Sequence, residues 1–417
     1  MAWNIPKLGG GIQGEPVESV FIVGIGCKRH YGSSNLKTVS AIIRCERCKL
    51  LMLDWTMLTL VGLLSIIFAA WVLIQVFLKG SALRAYDQPI RNSRAGSRDH
   101  ASPEHQKVLH LLEQAQKEIR AVPRKQWLTT VRAVMARGFC EPPLLAEDSG
   151  YRVQEVDAGG VPGEWVLAPD ADLQRRLLYL HGGSFISGCP HGHRVITTQL
   201  ARVTGAAVLV LDYRLMPEHS RRELIADCQT GYRWILDHGP EGPAPVRELF
   251  VAGDSAGGGL VLTLIAWARD AGLRAAHGAI AISPSVDTTF SSPTLKSNLK
   301  TDLMLGPGLE RFIKVPRSIR LLILWVVNRM IPPNPLISPI FGDLSGLPPI
   351  LVQASEAEMM LGDAQRYVNK ACASSSKAEL ETWPEMLHVW HLFEPILPEA
   401  QQAFERIGQF VERCAAH

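Results

Sequence analysis

The sequence predicts an α/β protein with a mostly parallel sheet, preceded by one helix that crosses a membrane. From about residue 101 onward, short apolar runs alternate with helical stretches, which is the pattern of strands that alternate with helices. Such strands form a parallel sheet that is covered by helices on both faces. Upstream of this region, a run of 24 residues carries no charged side chain.

The composition indicates a globular protein. The chain has 417 residues, of which 47% are hydrophobic and 20% are charged. The formal net charge is +3 and no dense block of lysine and arginine occurs, so we expect no nucleic-acid partner. The eight cysteines are scattered and are expected to be mostly free thiols. The segment Cys45–Cys48 has the spacing of half a zinc site, but no second pair follows it, so we expect no metal.

The uncharged run, Trp55–Leu78, predicts a membrane anchor at residues 51–79. At about 1.5 Å per residue, a helix of this length spans a hydrocarbon core of about 30 Å. A buried core helix rarely stays uncharged beyond about 14 residues. A cleaved signal peptide is disfavoured, because the run is long, lies far from Met1 and is not followed by a small-residue cleavage site.

The segments around the anchor are predicted to be irregular. Residues 1–50 are rich in glycine and are expected to form a poorly ordered tail, and residues 80–100 are expected to form a polar, basic linker. The 20 residues before the anchor carry four basic side chains and the 20 after it carry five, so the side of the membrane stays open. Met52 or Met57 could also be the start of the protein.

The strongest chemical motif lies in the region from residue 101 to 417. Gly253, Ser255 and Gly257 form a G-x-S-x-G motif after a predicted strand and before an apolar helix. The flanking glycines allow a tight turn that presents the serine hydroxyl above the sheet. This context predicts Ser255 as a nucleophile.

The stretch HGGSF, residues 181–185, follows another predicted strand and offers a partner for this serine. A serine that attacks a carbonyl group creates an oxyanion, which backbone N–H groups can stabilise. We expect the amides of Gly182, Gly183 and Ala256 to form this oxyanion hole.

The serine also needs a base and an orienting carboxylate, in the chain order serine, acid, histidine. His388 is the predicted base, because it follows the strand-like AELETW and precedes a helical C-terminus. His391 is its rival, but its helical spacing favours a packed position. Glu356, Glu358 and Asp363 follow the seventh predicted strand, and position alone does not choose among them.

Three motifs together indicate a family. HGGSF is similar to the HGGG oxyanion motif, DYRLMPEH at Asp212–His219 is similar to DYRLAPEH, and GDSAGG is similar to the nucleophile motif of the hormone-sensitive-lipase-like branch of the α/β-hydrolases. The sequence therefore resembles these bacterial family IV esterases over nearly all of residues 100–415. The resemblance implies an α/β-hydrolase fold with an eight-stranded, mostly parallel sheet.

The resemblance also implies roles for single residues. Ser255 would be the nucleophile and His388 the base. The family's acid stands in a D-P-L-x-D or E-x-L-x-D pattern, and alignment on EMMLGD gives Glu358 as the acid and Asp363 as a second, structural carboxylate. Two departures are Ser184, in place of the third glycine of HGGG, and SRRELIADC, in place of a proline and aromatic run.

Two helical regions fit the helical cap of this family. They cover about residues 101–137 and 291–335. The second region contains SIRLLILWVVNRMI, which also fits a core helix or an interfacial helix. The charged residues of DYRLMPEH are expected to form a buried Asp–Arg or Glu–His network and to take no part in catalysis.

These observations predict a membrane-anchored serine carboxylesterase that hydrolyses short- to medium-chain acyl esters through an acyl-enzyme. We expect no cofactor and no metal. A membrane-anchored amide or acetyl-ester deacetylase would use the same residues and stays an alternative. A non-catalytic binding protein is disfavoured, because serine and histidine are both retained. The natural ester and the oligomeric state stay open, with a homodimer as one option.

Overall fold

The computed structural model describes residues 46–91, 93–96, 100–146 and 148–416. The predicted tail lies outside this part of the chain up to residue 45, and so does Cys45. Two compact units divide the chain, Met1–Ile67 and Phe68–His417. The sheet and all the residues predicted for the site lie in the second unit.

An eight-stranded sheet forms the centre of the second unit, in the order β1-β2-β4-β3-β5-β6-β7-β8. Strands β1 and β2 pair antiparallel, as do β2 and β4, and the pairs from β4 to β8 are parallel. The strands are β1 Arg152–Asp157, β2 Pro162–Leu167, β3 Asp172–Leu180, β4 Ala206–Leu211, β5 Glu248–Asp254, β6 Gly278–Ile282, β7 Ile350–Ser355 and β8 Ala378–Trp383.

The α-helices of the described residues connect these strands, precede them or build the cap. They are α1 Glu46–Leu73, α2 His105–Ala121, α3 Trp127–Arg137, α4 Arg194–Thr204, α5 Arg221–Asp237, α6 Ala256–Asp270, α7 Thr294–Ser297, α8 Gly306–Lys314, α9 Arg317–Asn328, α10 Leu361–Ala373 and α11 Pro398–Ala415.

Two apolar cores cover the two faces of the sheet. Successive residues of a strand point to opposite faces, and β3 shows this alternation. Leu178 and Leu180 pack in the core that includes α5, α6 and α10. Leu177 and Tyr179 pack in the core that includes α2, α4 and α11. The apolar run of β3 is therefore buried on both sides, which explains why it lacks polar alternation.

Helix α1 continues as a π-helical turn, Ile74–Leu78. Within the combined helix, the segment Asp54–Leu78 is long and apolar enough to cross a membrane. Its large apolar side chains are mostly exposed, as shown by Trp55 and Phe68 at 69% and 65%. A core helix of a soluble protein would bury such side chains.

The segment predicted as a linker is bound to the sheet-containing unit. The backbone around Ser93–Ala95 pairs with Thr382 at the edge strand β8. Leu83 is buried in the core, and Asp87 forms an ion pair with Arg366 of α10 at 2.5 Å. Within the predicted linker, residues 80–100, this stretch therefore has backbone and side-chain partners in the folded unit.

The two predicted cap regions contain helices α2 and α3, and helices α7 to α9. The apolar segment SIRLLILWVVNRMI lies mostly in α9, and Val315 and Pro316 separate α9 from α8. Arg132 of α3 binds the main part of the unit, because it donates to Ile186 O, to Met216 O and to the Glu218 carboxylate.

The turn between β5 and α6 leaves no space for side chains at its glycines. A Cβ at Gly253 would lie 2.5 Å from Leu180 O. A Cβ at Gly257 would overlap Leu180 O and would lie 2.5 Å from His181 O. The glycines of this turn therefore allow α6 to approach the end of β3.

We expect Gly257→Ala to lower the free energy of unfolding by about 2 kcal/mol, because the methyl group would push α6 away from β3. Thermal unfolding of the full chain in detergent measures this effect. Gly308→Ala in α8 is the matched control, since a Cβ there meets no atom within 4 Å. An unchanged melting temperature for Gly257→Ala would contradict this account of the turn.

Candidate active site

Ser255 lies in the turn between β5 and α6 in a strained conformation. Its φ is 52° and its ψ is −116°, a region that residues with a side chain rarely adopt. The surrounding backbone holds it there, because Ser255 N donates to Ile282 O at 2.7 Å and Ser285 N donates to Ser255 O at 3.1 Å. The turn directs the hydroxyl toward the loop that carries His388.

His388 connects Ser255 to Glu358. Its Nε2 lies 2.8 Å from Ser255 Oγ, and its Nδ1 lies 2.5 Å from Glu358 Oε2. A carboxylate can only accept hydrogen bonds, so Nδ1 carries the proton that is donated to Glu358. In the neutral ring, Nε2 is then free to accept the hydrogen bond of the serine hydroxyl.

The environment raises the pKa of His388. Burial alone would lower this pKa, because it disfavours the charged imidazolium. The hydrogen bond and the negative charge of Glu358 outweigh burial, so the pKa lies above its ordinary value of 6.5. Asp302 and Asp254 contribute in the same direction at longer range. The site therefore stabilises a protonated histidine.

The other candidate residues are bound elsewhere. His391 Nε2 donates a hydrogen bond to Gln353 Oε1 at 2.8 Å, and burial lowers the pKa of His391 to about 3. Glu356 pairs with Arg94 at 2.7 Å. Asp363 accepts from the amides of Val286 and Asp287. Of the three predicted carboxylates, the structure brings only Glu358 to His388.

Contacts from the cap region fix the loop that carries Glu358. Asn298 donates to Glu356 O at 2.9 Å and to Glu358 O at 3.0 Å. Asp302 accepts from Met359 N at 2.8 Å. The Glu358 side chain also bonds to the end of β7, because Oε1 accepts from Ser355 N at 2.8 Å. This loop is therefore held from the sheet and from the cap.

The hydrogen bonds of Gly182 contradict its predicted role. Gly182 N donates to Asp254 Oδ1 at 2.8 Å, so this amide is directed inward and is not free to bind an oxyanion. Tyr179 donates to the same oxygen at 2.6 Å, and Asp254 is buried. The Asp254 carboxylate thus holds the loop of residues 181–185, here called the HGGSF loop, close to the serine turn.

The next amides along the loop are not engaged in this way. Among the described residues, the N–H groups of Gly183 and Ser184 have no hydrogen-bond acceptor, and both residues have positive φ values of 113° and 55°. Ala256 N is the first amide of α6, and the first amides of a helix lack an intrahelical acceptor. Three free amides therefore lie in the two turns that meet at Ser255.

His181, the first residue of the HGGSF loop, packs against Tyr213. Its ring stacks on Tyr213 with a centroid distance of 4.2 Å, and Tyr213 donates to His181 O at 2.5 Å. Burial and the nearby His193 lower the pKa of His181 to about 3. The ring is therefore neutral at physiological pH.

The charged residues of DYRLMPEH do not form the buried network that we expected. Arg214 is 41% exposed and pairs with Asp227 of α5. Glu218 is 52% exposed and pairs with Arg132 of the cap. The strand ends at Leu211, and the charged side chains of Arg214 and Glu218 lie at the surface beyond it and find partners outside the motif.

Sequence reasoning missed the residues that position the site. Asp254 lies within the GDSAGG motif, and its position beside Ser255 was the sequence signal that could have marked it as a positioning residue. Asn298, Asp302 and Ser355 have no motif that marks them. In the described residues, no group of three or more histidine, cysteine, aspartate or glutamate side chains could hold a metal ion.

Comparisons with known proteins agree with this architecture. The sequence profile of the alpha/beta hydrolase fold family matches residues 177–392. An acetyl-hydrolase from Streptomyces hygroscopicus is 35% identical over 286 residues, which cover 66% of this chain and 90% of the relative. The crystal structure of EstE5 soaked with p-nitrophenyl butyrate has a TM-score of 0.64 and 36% identity, and covers 76% of this chain and 100% of that chain.

A second solved structure specifies the branch. An esterase from the bacterial hormone-sensitive lipase family has a TM-score of 0.63 and 33% identity, with 75% of this chain and 99% of that chain covered. The chain belongs to the α/β-hydrolase fold family, in its hormone-sensitive-lipase-like branch. It is a carboxylic ester hydrolase.

The raised pKa of His388 predicts the acid limb of the pH profile. A general base must be neutral, so kcat/KM should rise with pH through a pKa above 6.5. In Glu358→Gln the stabilising charge is lost while burial remains. The pKa of His388 then falls, and the acid limb moves to lower pH while kcat drops by roughly 10³ to 10⁴. Steady-state hydrolysis of a soluble ester between pH 5 and 9 measures both effects.

Asp363→Asn is the matched control for this measurement. It removes a buried carboxylate from the helix that follows the same loop, but Asp363 does not contact His388. We expect the acid limb of this variant to stay in place. A shift in Asp363→Asn with none in Glu358→Gln would assign the acid to Asp363 instead.

Proposed function

We propose that this chain is a membrane-anchored serine esterase in which Ser255, His388 and Glu358 act as a catalytic triad. The observation that carries this proposal is the position of His388, whose two ring nitrogens lie 2.8 Å from Ser255 Oγ and 2.5 Å from Glu358 Oε2. The same arrangement occurs in serine hydrolases of unrelated folds.

The first half of the reaction forms an acyl-enzyme. His388 Nε2 takes the proton of Ser255 as Oγ attacks the carbonyl carbon of the ester, and Glu358 stabilises the imidazolium that results. The carbonyl oxygen becomes an oxyanion and accepts hydrogen bonds from Gly183 and Ala256. Ser184 N replaces Gly182 N as the third donor, because the Gly182 amide is bound to Asp254. The C–O bond of the ester then breaks, and His388 protonates the departing alcohol.

The second half repeats these steps with water. His388 removes a proton from a water molecule that attacks the acyl carbonyl, and the same amides bind the second oxyanion. When the bond to Ser255 Oγ breaks, the serine regains its proton from His388 and the carboxylic acid leaves. The cycle needs only side chains of this protein, backbone amides and water.

The proposed substrates are esters with short to medium acyl chains. A related acetyl-hydrolase supports the short end of this range. A related structure soaked with p-nitrophenyl butyrate supports a four-carbon acyl group. Ser184 lies in the turn next to the proposed oxyanion hole, where its side chain is exposed. A larger side chain at this position would reduce the room beside the acyl group.

The proposed anchor is the helix Asp54–Leu78. Its length and its exposed apolar side chains support a membrane-spanning role. The segment from Leu83 to Ala95 is bound to the catalytic unit, so only a few residues separate the end of the span from the folded enzyme. The folded enzyme would therefore stay close to the membrane surface.

The full chain should hydrolyse p-nitrophenyl esters with an optimum between acetate and octanoate, and Ser255→Ala should lower kcat by about four orders of magnitude or more. Initial rates for acetate, butyrate, octanoate and palmitate measure the optimum. Equal melting temperatures of the two proteins serve as the folding control.

Two outcomes of this assay would contradict the proposal. Equal rates for wild type and Ser255→Ala would exclude Ser255 as the nucleophile. Faster turnover of p-nitroacetanilide than of p-nitrophenyl acetate would identify an amide deacetylase in place of an esterase.

The full chain should stay in the membrane fraction after extraction with alkaline carbonate. In a variant with Ile66→Asp and Ile67→Asp, two charges at the centre of the span cost roughly 3 kcal/mol each, so this variant should be released. Intact mass spectrometry adds a control for processing, because a mature chain that starts after Leu78 would identify a signal sequence. Release of the wild-type chain would contradict the anchor.

A further inference from the structure

A cavity lies in the catalytic unit, directly after the proposed membrane span. It has a volume of about 750 Å³. Its lining begins at Gln75, in the last turn before the span ends at Leu78, and reaches the cap and α10. The ionisable lining residues are Lys79, Arg84, Asp87, Arg317 and Arg366. None of them belongs to the proposed triad or to the oxyanion hole.

The charges around this cavity are not balanced. Four lining side chains are basic and one is acidic. Asp87 is already bound to Arg366 at 2.5 Å. Among the described residues, Lys79, Arg84 and Arg317 have no carboxylate within ion-pair distance. Among the described residues, three of the four basic lining side chains therefore have no paired carboxylate.

Arg317 shows the imbalance most clearly. Its Nε is buried and has no hydrogen-bond partner in the described residues. Its Nη2 has only long contacts of 3.3 Å, to Lys79 O and to Thr289 Oγ1. Burial lowers the pKa of Arg317, the Asp287 carboxylate raises it, and Arg366 lowers it by a smaller amount than Asp287 raises it. A bound anion would satisfy the free N–H and offset the repulsion between the two arginines.

An exposed apolar surface adjoins the cavity. Helix α9 begins at Arg317 and contacts the turn Ile74–Leu78 at the end of the span. Its outer face is apolar and solvent-exposed, with Val326 at 72% and Val327 at 54% exposure. In the same turn, Val76 and Phe77 are exposed at 65% and 53%. An apolar surface that continues from a membrane span fits the acyl region of the same bilayer.

We propose that this cavity binds the phosphate group of an anionic phospholipid at the membrane surface, while the outer face of α9 rests on the acyl chains. The span ends at Leu78, so Lys79 and the cavity lie at the depth of the headgroups. Arginine binds phosphate through paired N–H donors. Basic pockets at the ends of membrane helices take anionic headgroups in the same way.

This inference rests on the proposed membrane anchor but not on the proposed chemistry. Its test therefore uses the full chain with Ser255→Ala, solubilised in dodecyl maltoside, so that no lipid is hydrolysed. Isothermal titration measures the Kd for dioctanoylphosphatidylglycerol, for dioctanoylphosphatidylcholine and for inorganic phosphate.

We expect phosphatidylglycerol to bind at least tenfold more tightly than phosphatidylcholine, because the choline headgroup brings a positive charge to a basic cavity. Adding Arg317→Gln should weaken the binding of phosphatidylglycerol about tenfold, since one charge-assisted contact is lost. Arg84→Gln is a second variant at an exposed lining residue and serves if Arg317→Gln does not fold. Arg311→Gln is the matched control, because this exposed arginine of α8 does not line the cavity.

Three results would overturn the proposal. Equal affinities for the two lipids would show that the headgroup charge is not recognised. An equal loss of affinity in Arg311→Gln and Arg317→Gln would indicate diffuse surface charge. Inorganic phosphate that binds as tightly as phosphatidylglycerol would identify a site for a soluble anion in place of a lipid.

Discussion

The turn at Ser255 positions most of the groups that meet at the candidate active site. The serine adopts a positive φ, and α6 starts immediately after it. This turn exists only because Gly257 lets the helix approach Leu180 and His181 without a side chain between them. Asp254, on the other side of the serine, binds the amide of Gly182. The stretch 254–257 thus positions the Ser255 hydroxyl, the Ala256 amide and the HGGSF loop together.

The second half of the site is held by a different set of contacts. Glu358 and His388 lie on the loops that follow β7 and β8, and Ser355 connects these loops by donating to Met386 O at 2.6 Å. His388 and Glu358 are both buried. A buried hydrogen bond keeps its geometry because water cannot compete for it. The proposed base and acid are therefore positioned by the ends of the two strands at the sheet edge, together with the cap contacts of the Glu358 loop.

Much of this arrangement could be predicted from local sequence. The strands are short apolar runs, and the motifs around Ser255 and HGGSF specify turns through their glycines. The choice of donor amide could not be predicted, because it depends on a contact between Gly182 and Asp254, which are far apart in the chain. Position alone left Glu356, Glu358 and Asp363 open as the acid, and the family resemblance selected Glu358 although it stands one residue further from Leu361 than the family pattern has it. The contacts of the segment from Leu83 to Ala95 could not be predicted, because its partners on β8 and α10 are far away in the chain.

The contacts of Asn298 and Asp302 connect the cap to the chemistry in a way that bears on how such enzymes diversify. These two residues hold the backbone on both sides of Glu358, while the outer face of the cap beyond them is exposed to solvent. The cap region thus supports the loop that carries Glu358. Exchanging cap helices between relatives would preserve turnover only if the stretch 298–302 travelled with its own acid loop. Selectivity can therefore change through the remaining cap helices, whereas Asn298 and Asp302 cannot change without disturbing the loop that carries Glu358.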